Sequence, residues 1–286
     1  MEKYTSCKQA IDHCITNKYF AVAYLCNEEK TMNIHIHDCY EMYFSITGGK
    51  QFLIDNKFYD IAPGDLFIIN QFESHYLSKI DQMIHERIVV SIHPDLIKML
   101  STKNTDLSTC FTKRTKGCSH RLHLTSEQQQ RFYYYINKIT SIDSYGSDII
   151  EKACFMELLV MINSIYTENL NLDSSVNDYK YNQQVEQIIQ YINQNICEPI
   201  TIEFLAKHFY LSDSYICRIF KSATGTTINK YITARRISIA KSLLSSGMSV
   251  SDVYSQSGFN DYSNFLKAFT KAVGVSPKKY ALYSNS

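Results

Sequence analysis

Hydrophobic and polar positions along the chain change their period near residue 126. Upstream, short runs rich in aromatic and β-branched residues alternate with turn signals, a strand pattern. Residues 40–47 end at Gly48-Gly49, a tight hairpin signal. Residues 51–54 and 57–61 flank a turn near Asp55-Asn56, and Pro63-Gly64 predicts a type II turn. Residues 65–70 and 86–92 follow as further strands. Short strands with close turns predict a sandwich or small barrel. Downstream, residues 126–143 and 147–169 place apolar residues at helical spacing, with Ser126 and Ser147 as expected N-caps. The second run is apolar on more than one face, from Ile149 through Leu158 and Leu159 to Ile165. It either fills its own domain or presents one face to a second subunit.

Residues 171–180 are polar, rich in Asn, Asp and Ser, and read as an interdomain linker. Beyond them the pattern is helical throughout, and one layout occurs twice. Thr201 opens a short helix over 202–209, a turn follows at Tyr210-Leu211, and Ser212 caps a helix over 213–224 that ends at Gly225. Further on, Ser249 opens 250–257, Gly258-Phe259 turns, and Asn260 or Asp261 starts a helix running to Gly274. Each second helix carries an apolar stripe: Tyr215, Ile216, Ile219 and Phe220 in one, Phe265, Leu266 and Phe269 in the other. Each also carries basic residues, Arg218 and Lys221, then Lys267 and Lys271. Residues 228–246 between them read as one long helix stopped by Gly247. A helix-turn-helix unit inserts its second helix into the DNA major groove, and two units on a rigid connector suit successive grooves roughly 34 Å apart.

Composition sharpens this picture. With 286 residues, 45% hydrophobic and 20% charged, the chain has material for two domains with real cores and is not intrinsically disordered. The net charge of +1 hides an asymmetry: from residue 181 onward there are 11 Lys+Arg against 6 Asp+Glu. A basic C-terminal third predicts a local polyanionic partner. The nine cysteines are odd in number and contain no Cys-x-x-Cys, which argues against a disulfide framework or a thiolate zinc site. A reducing, cytoplasmic location is expected. No apolar run reaches transmembrane length and the first residues lack a signal-peptide core, so no membrane partner is expected.

The N-terminal half holds the other candidate chemistry. His35, His37 and Glu41 share parity, so in one extended strand their side chains point to one face. With His75 downstream, this set is a candidate for a divalent metal. A non-metal ligand contact and a purely structural role are the alternatives. Ile34, Ile36, Tyr40, Met42, Phe44 and Ile46 take the opposite face, while Tyr43 and Ser45 continue the histidine parity as candidate pocket residues. His85, His93, His120 and His123 form no comparable set and are expected at the surface.

Residues 181–281 resemble the DNA-binding domain of the AraC/XylS family of bacterial transcription regulators. The resemblance rests on Leu205-Ala206, on Leu211-Ser212-x-Ser214-Tyr215-Ile216-x-Arg218-x-Phe220-Lys221, on Gly225, and on Tyr231, Arg235, Arg236, Ala240 and Leu243-Leu244. It continues through Gly258-Phe259-x-Asp261-x-Ser263-x-Phe265, then Phe269, Gly274, Ser276-Pro277 and Tyr280. It implies that Ser214, Cys217 and Arg218 face bases from the first recognition helix, and Ser263, Asn264 and Lys267 from the second. General pairing geometry favours guanine for Arg218 and adenine for Asn264. Lys221 and Lys271 are expected on phosphates, and Leu205, Phe220, Phe259, Phe265 and Phe269 in the core. Tyr254, Thr270 and Ala281 depart from the family's usual Ala, Lys and Arg.

The spacing of residues 35–41, Gly48, Pro63-Gly64-Asp65 and His75 is similar to the cupin motifs, with Asn70 where a proline is usual. Sensory domains of AraC-type regulators resemble this too, including the His-Asp-x-Tyr-Glu stretch at 37–41. The expected architecture is therefore α+β. Residues 1–125 form a cupin-like effector-sensing β-barrel, 126–170 a helical dimerisation or packing segment, 171–180 the linker, and 181–286 a DNA-binding domain with units at about 202–224 and 250–273. The expected function is a sequence-specific transcription regulator, not an enzyme, whose barrel senses a small molecule, with sugars among the candidates. Expected partners are double-stranded promoter DNA, the effector, RNA polymerase and a second copy of the chain. No cofactor is required, a divalent metal being a candidate. The alternative is a metal-dependent cupin enzyme, an isomerase or dioxygenase, with an accessory helical domain.

Overall fold

The computed structural model describes residues 3–27, 35–49, 51–55, 57–71, 73–78, 84–113, 119–141, 144–171 and 183–284. Of the expected linker, Asn171 is still helical and residues 172–180 lie outside the described residues, as do Ile34 and Asn56. In chain order the N-terminal elements are β1 (Lys3–Tyr4), α1 (Cys7–Asn17), β2 (Phe20–Asn27), β3 (Tyr40–Ser45), β4 (Gln51–Ile54), β5 (Lys57–Asp60), β6 (Asp65–Ile69), β7 (His75–Ser78), β8 (His85–Ile92), α2 (Pro94–Leu100), α3 (Thr109–Thr112) and β9 (Arg121–His123). Then come α4 (Ser126–Ser141), α5 (Ser147–Asn171), α6 (Gln183–Gln194), α7 (Ile202–His208), α8 (Asp213–Thr224), α9 (Ile228–Ser245), α10 (Val250–Gln256), α11 (Tyr262–Val273) and α12 (Pro277–Ser284). The architecture is α+β, as the pattern predicts.

Two sheets face each other. One is six-stranded in the order β1-β2-β8-β3-β6-β9, the other three-stranded in the order β5-β4-β7. Parity on β3 sorts its side chains. Tyr40, Met42 and Phe44 pack outward onto α2–α5, where Phe20 stacks on Phe155 at 3.9 Å and Phe44 meets Phe132 at 4.6 Å. Glu41, Tyr43 and Ser45 alternate with them and face the interior between the sheets. That interior is lined by Ala21, Ala23, Phe52, Tyr59, Phe67 and Val89, with Ala10 and Cys14 of α1 packed against it. The type II turn forms as expected. Gly64 takes φ 85°, its N–H donates to Ser45 O at 2.9 Å, and Asp65 Oδ2 accepts from Ala62 N at 2.7 Å.

The helix starts differ slightly from expectation. Thr125 rather than Ser126 caps α4, its Oγ1 accepting from Gln128 N while its own N–H donates to Gln128 Oε1, a capping box. Ser147 is already inside α5, which Gly146 O opens by accepting from Ile150 N. The hydrophobic pattern did not predict β1, β2, β7 and β9 or the helices α1, α2 and α3. Among the described residues no helix is long and apolar enough to cross a membrane.

The C-terminal half is built on α9. Ile228, Tyr231 and Ile232 in its first half pack with α6, α7 and α8. Ile237, Ala240 and Leu244 in its second half pack with α10, α11 and α12. The helical half also touches the sheets directly: Leu53, Phe58 and Tyr76 join the first of these cores.

Candidate functional site

Both helix-turn-helix units form from local signals. Thr201 accepts from Phe204 N and caps α7, Tyr210 turns the chain at φ 55°, and Ser212 accepts from Tyr215 N and caps α8. Ser249 accepts from Asp252 N and caps α10, and Asp261, not Asn260, caps α11 by accepting from Asn264 N at 2.7 Å. Leu205, Ile216, Phe220, Phe265 and Phe269 are fully buried. Phe259 is a correction to its expected place in the core: it is half-buried, with the Arg236 guanidinium 6.0 Å over its ring. Tyr254, the departure from the usual small residue, meets Tyr262 edge-on at 5.3 Å and lies against Phe265, so its bulk is absorbed at the rim of the second core.

The residues expected to meet DNA lie on the free faces. Ser214, Arg218 and Lys221 are exposed on α8 with Cys217 half-buried among them, and Arg218 lies 5.2 Å over the Tyr215 ring. Ser263, Asn264, Lys267 and Lys271 are exposed on α11. At 1.5 Å per residue, the 18 residues of α9 give a connector about 27 Å long.

In the barrel interior the expected set divides. His35, His37, Glu41 and His75 come together, but not through one extended strand. The chain bends at 38–39, and β3 begins only at Tyr40. His35 instead bridges to His75, each backbone N–H donating to the other's carbonyl at 3.2 Å, and their rings meet at 4.0 Å. His37 Nδ1 donates to Cys39 O at 2.9 Å, and its Nε2 meets Glu41 Oε2 at 3.0 Å. His75 Nδ1 donates to Glu73 O at 3.1 Å, while its Nε2 lies 3.9 Å from Glu41 Oε1.

Burial opposes charge on His37, Glu41 and His75. For His37 the proton-accepting neighbours Cys39 and Glu41 win, and its pKa rises well above the ordinary imidazole value. For Glu41 the His37 hydrogen bond and the His75 and His37 charges overcome burial and pull the carboxyl down to about 2. His75 moves the other way, lowered by burial and then by the charge of His35. Tyr43 and Ser45 lie farther along the strand: the Tyr43 hydroxyl bonds His85 Nε2, and Ser45 Oγ accepts from Gly48 N at 3.1 Å, bracing the turn.

Two histidines expected at the surface are inside. His85 and His120 are buried, His120 Nδ1 meeting the Tyr59 hydroxyl at 2.8 Å and its Nε2 lying 3.4 Å from Glu73 Oε1. Arg87 is also fully buried. Alternation along β8 puts 85, 87, 89 and 91 on one face, opposite Ile88, Val90 and Ile92; the sequence shows that grouping but not that both faces are covered. His93 caps α2 and is half-buried there rather than at the open surface, while His123 is exposed as expected.

Two aspartates next to the histidine cluster reach the helical half. Asp38 follows His37 directly; it pairs with Lys241 of α9 and accepts from the Tyr280 hydroxyl at 2.8 Å. Asp55 pairs with Arg235, its carbonyl accepts from the Tyr231 hydroxyl at 3.0 Å, and its N–H donates to Ser74 O, one residue before His75.

Comparison with known proteins gives two family matches: an AraC-like ligand binding domain at residues 17–134 and a helix-turn-helix domain at residues 205–282. The HTH-type transcriptional regulator YbfI of Bacillus subtilis is 25% identical over 80% of this chain and 80% of its own length. The Msm operon regulatory protein of Streptococcus mutans is 24% identical over 89% and 88%. The melibiose operon regulatory protein of Escherichia coli is 36% identical over 34% and 32%.

Proposed function

The chain belongs to the AraC family of DNA-binding transcription regulators with an N-terminal ligand-binding domain, and from that premise we propose how its residues divide the work. Ser214, Cys217 and Arg218 on α8, and Ser263, Asn264 and Lys267 on α11, read base edges; Lys221 and Lys271 hold phosphates. The observation carrying this is that the free faces of α8 and α11 stand on opposite halves of one connecting helix, α9. Its target is double-stranded promoter DNA, its acting partner there RNA polymerase, and its compartment the cytoplasm.

The effector contacts the barrel interior at His35, His37, Glu41, Tyr43, Ser45 or His75. Binding shifts a population between placements of the two halves through Asp38 and Asp55 rather than catalysing a reaction. The melibiose match covers a third of the chain and so says nothing of this effector; sugars stay among the candidates on the polar lining alone. α5 leaves Ile149 and Val160 exposed, Val160 lines a groove of about 620 Å³ shared with α4, and this exposed apolar surface supports a homodimer.

The test is binding of the full chain to its own upstream DNA at rising salt. Affinity should fall steeply, as for a protein neutralising several phosphates. Salt-independent binding, or an Arg218→Ala and Lys221→Ala pair that leaves affinity untouched, would remove α8 from the interface. The enzyme alternative would instead show turnover that depends on His37.

A further inference from the structure

We propose that Tyr262, the first residue of α11, is a specificity-determining residue that packs its ring on a thymine methyl group in the major groove, and that Tyr254 of α10 is the positioning residue that aims it. The proposal deepens the reading of α11 as a recognition helix and rests on it.

The placement comes from the helix start. Asp261 caps α11, so Tyr262 opens its first turn beside Ser263 and Asn264. The N-terminal residues of a recognition helix are the ones that reach base edges. Tyr262 is 45% exposed there. An exposed aromatic is ordinary by itself; this one is also held still. Tyr254 meets it edge-on at 5.3 Å and 87°, and Phe265 lies against both rings. Edge-to-face pairs of this kind are favourable beyond the area they bury. Tyr254 is half-buried and rooted in the core of the second unit. A ring already restrained loses little rotamer freedom when DNA arrives, which is how tyrosine serves as a rigid anchor in binding surfaces.

The chemistry selects the base. In the major groove guanine, adenine and cytosine present donors and acceptors, and the apolar feature is the C5 methyl of thymine. Ring carbons laid over a donor or acceptor desolvate it without replacing its hydrogen bond. Laid over a methyl they bury apolar surface on both sides. The first helix supplies the contrast. α8 opens with Asp213, an exposed carboxylate at the same position after its cap. A carboxylate can accept from cytosine N4 but gains nothing from a methyl. The methyl contact is therefore confined to the half of the site under α11.

The experiment uses the full chain and a duplex that it selects from a randomised pool. Each thymine is then replaced in turn by deoxyuridine, which removes the methyl alone. Affinity should fall about fourfold at one position, the worth of one buried methyl, within the half where Asn264→Ala alters base preference. Tyr262→Ala, at an exposed position, should erase that fall and leave the other positions as they were. Tyr262→Phe should keep it. Tyr254→Ala should shrink it to less than about twofold by freeing the ring, with circular dichroism checking the fold. An unchanged deoxyuridine profile in Tyr262→Ala overturns the proposal, as does a selected site with no thymine in that half. So does a loss in Tyr262→Phe that is equal on all sequences, which puts the hydroxyl on a phosphate instead. If Asn264→Ala and Lys267→Ala also leave binding untouched, α11 is not in the groove and the reading beneath the proposal fails with it. If those two alter binding while Tyr262→Ala does not, the proposal alone fails.

Discussion

The two helix-turn-helix units share one layout but are held to the barrel by different forces. The first is joined mainly by apolar burial, since Leu53, Phe58 and Tyr76 enter the same core as Ile216 and Phe220, with the Asp55–Arg235 pair and the Tyr231 hydroxyl on Asp55 O beside it. The second has its own core of Val253, Phe265 and Phe269, and meets the barrel through Asp38, which pairs with Lys241 and Tyr280. Apolar contact is non-directional and tolerates small shifts. A buried charge pair depends on geometry, since a displaced partner leaves its mate desolvated and unpaired. The second unit is therefore the one whose placement a movement at His37 alters most readily, because Asp38 is the next residue along the chain.

The largest expected effects come from the cores themselves. Phe220→Ala and Phe269→Ala should each cost about 3–5 kcal/mol, read by denaturant unfolding. Hydrogen exchange should show that Phe220→Ala also loosens β4 and β7, while Phe269→Ala leaves them protected; equal loosening in both would erase the contrast.

Next comes the polar tie. Asp38→Asn leaves the buried Lys241 ammonium without its counter-charge and should cost about 2–3 kcal/mol, below the range for fully buried pairs because Asp38 is about a quarter exposed. Exchange should rise in α12 and not in α8. Replacing Lys241 with Met in the same chain should recover much of the loss, and failure to recover would mean the pair is not what holds this contact.

Smaller again is the base contact. Arg218→Ala should cost about 1–2 kcal/mol at one position of the DNA site, toward the low end for bidentate contacts because the guanidinium already stacks on Tyr215. Lys221→Ala should weaken all sequences alike and lower the salt slope by about 1. Binding measured across a set of single-base variants distinguishes the two. The smallest change is expected from Cys217→Ser, within about 0.5 kcal/mol in stability, because the thiol is half-buried and the swap nearly isosteric. A large loss of DNA affinity in this variant would promote Cys217 to a principal contact.

Much of the helical half was legible because its signals are local. Ser212, Ser249 and Asp261 cap helices three residues away, and the stripes of Ile216, Phe220, Phe265 and Phe269 follow from helical period alone. Parity on β3 likewise sorted Met42 and Phe44 from Glu41 and Tyr43. The histidine cluster was legible in membership but not in construction. His35 was expected to share a strand with Glu41, whereas a bridge to His75 places it. His85 and His120 were misjudged because a strand's period says which residues share a face, not which face is covered.

The sequence by itself determined the α+β division, the doubled helix-turn-helix and the identity of the polar residues that gather in the barrel. Each rests on interactions spanning a few residues, where backbone geometry leaves little choice. Only the tertiary structure decided that Arg87 is buried, that His75 meets His35, and that Asp38 reaches Lys241 and Tyr280 across the two halves of the molecule. Those contacts join segments far apart in the chain. Their pairing follows from how whole sheets and helices pack, not from any local preference of the residues that make them.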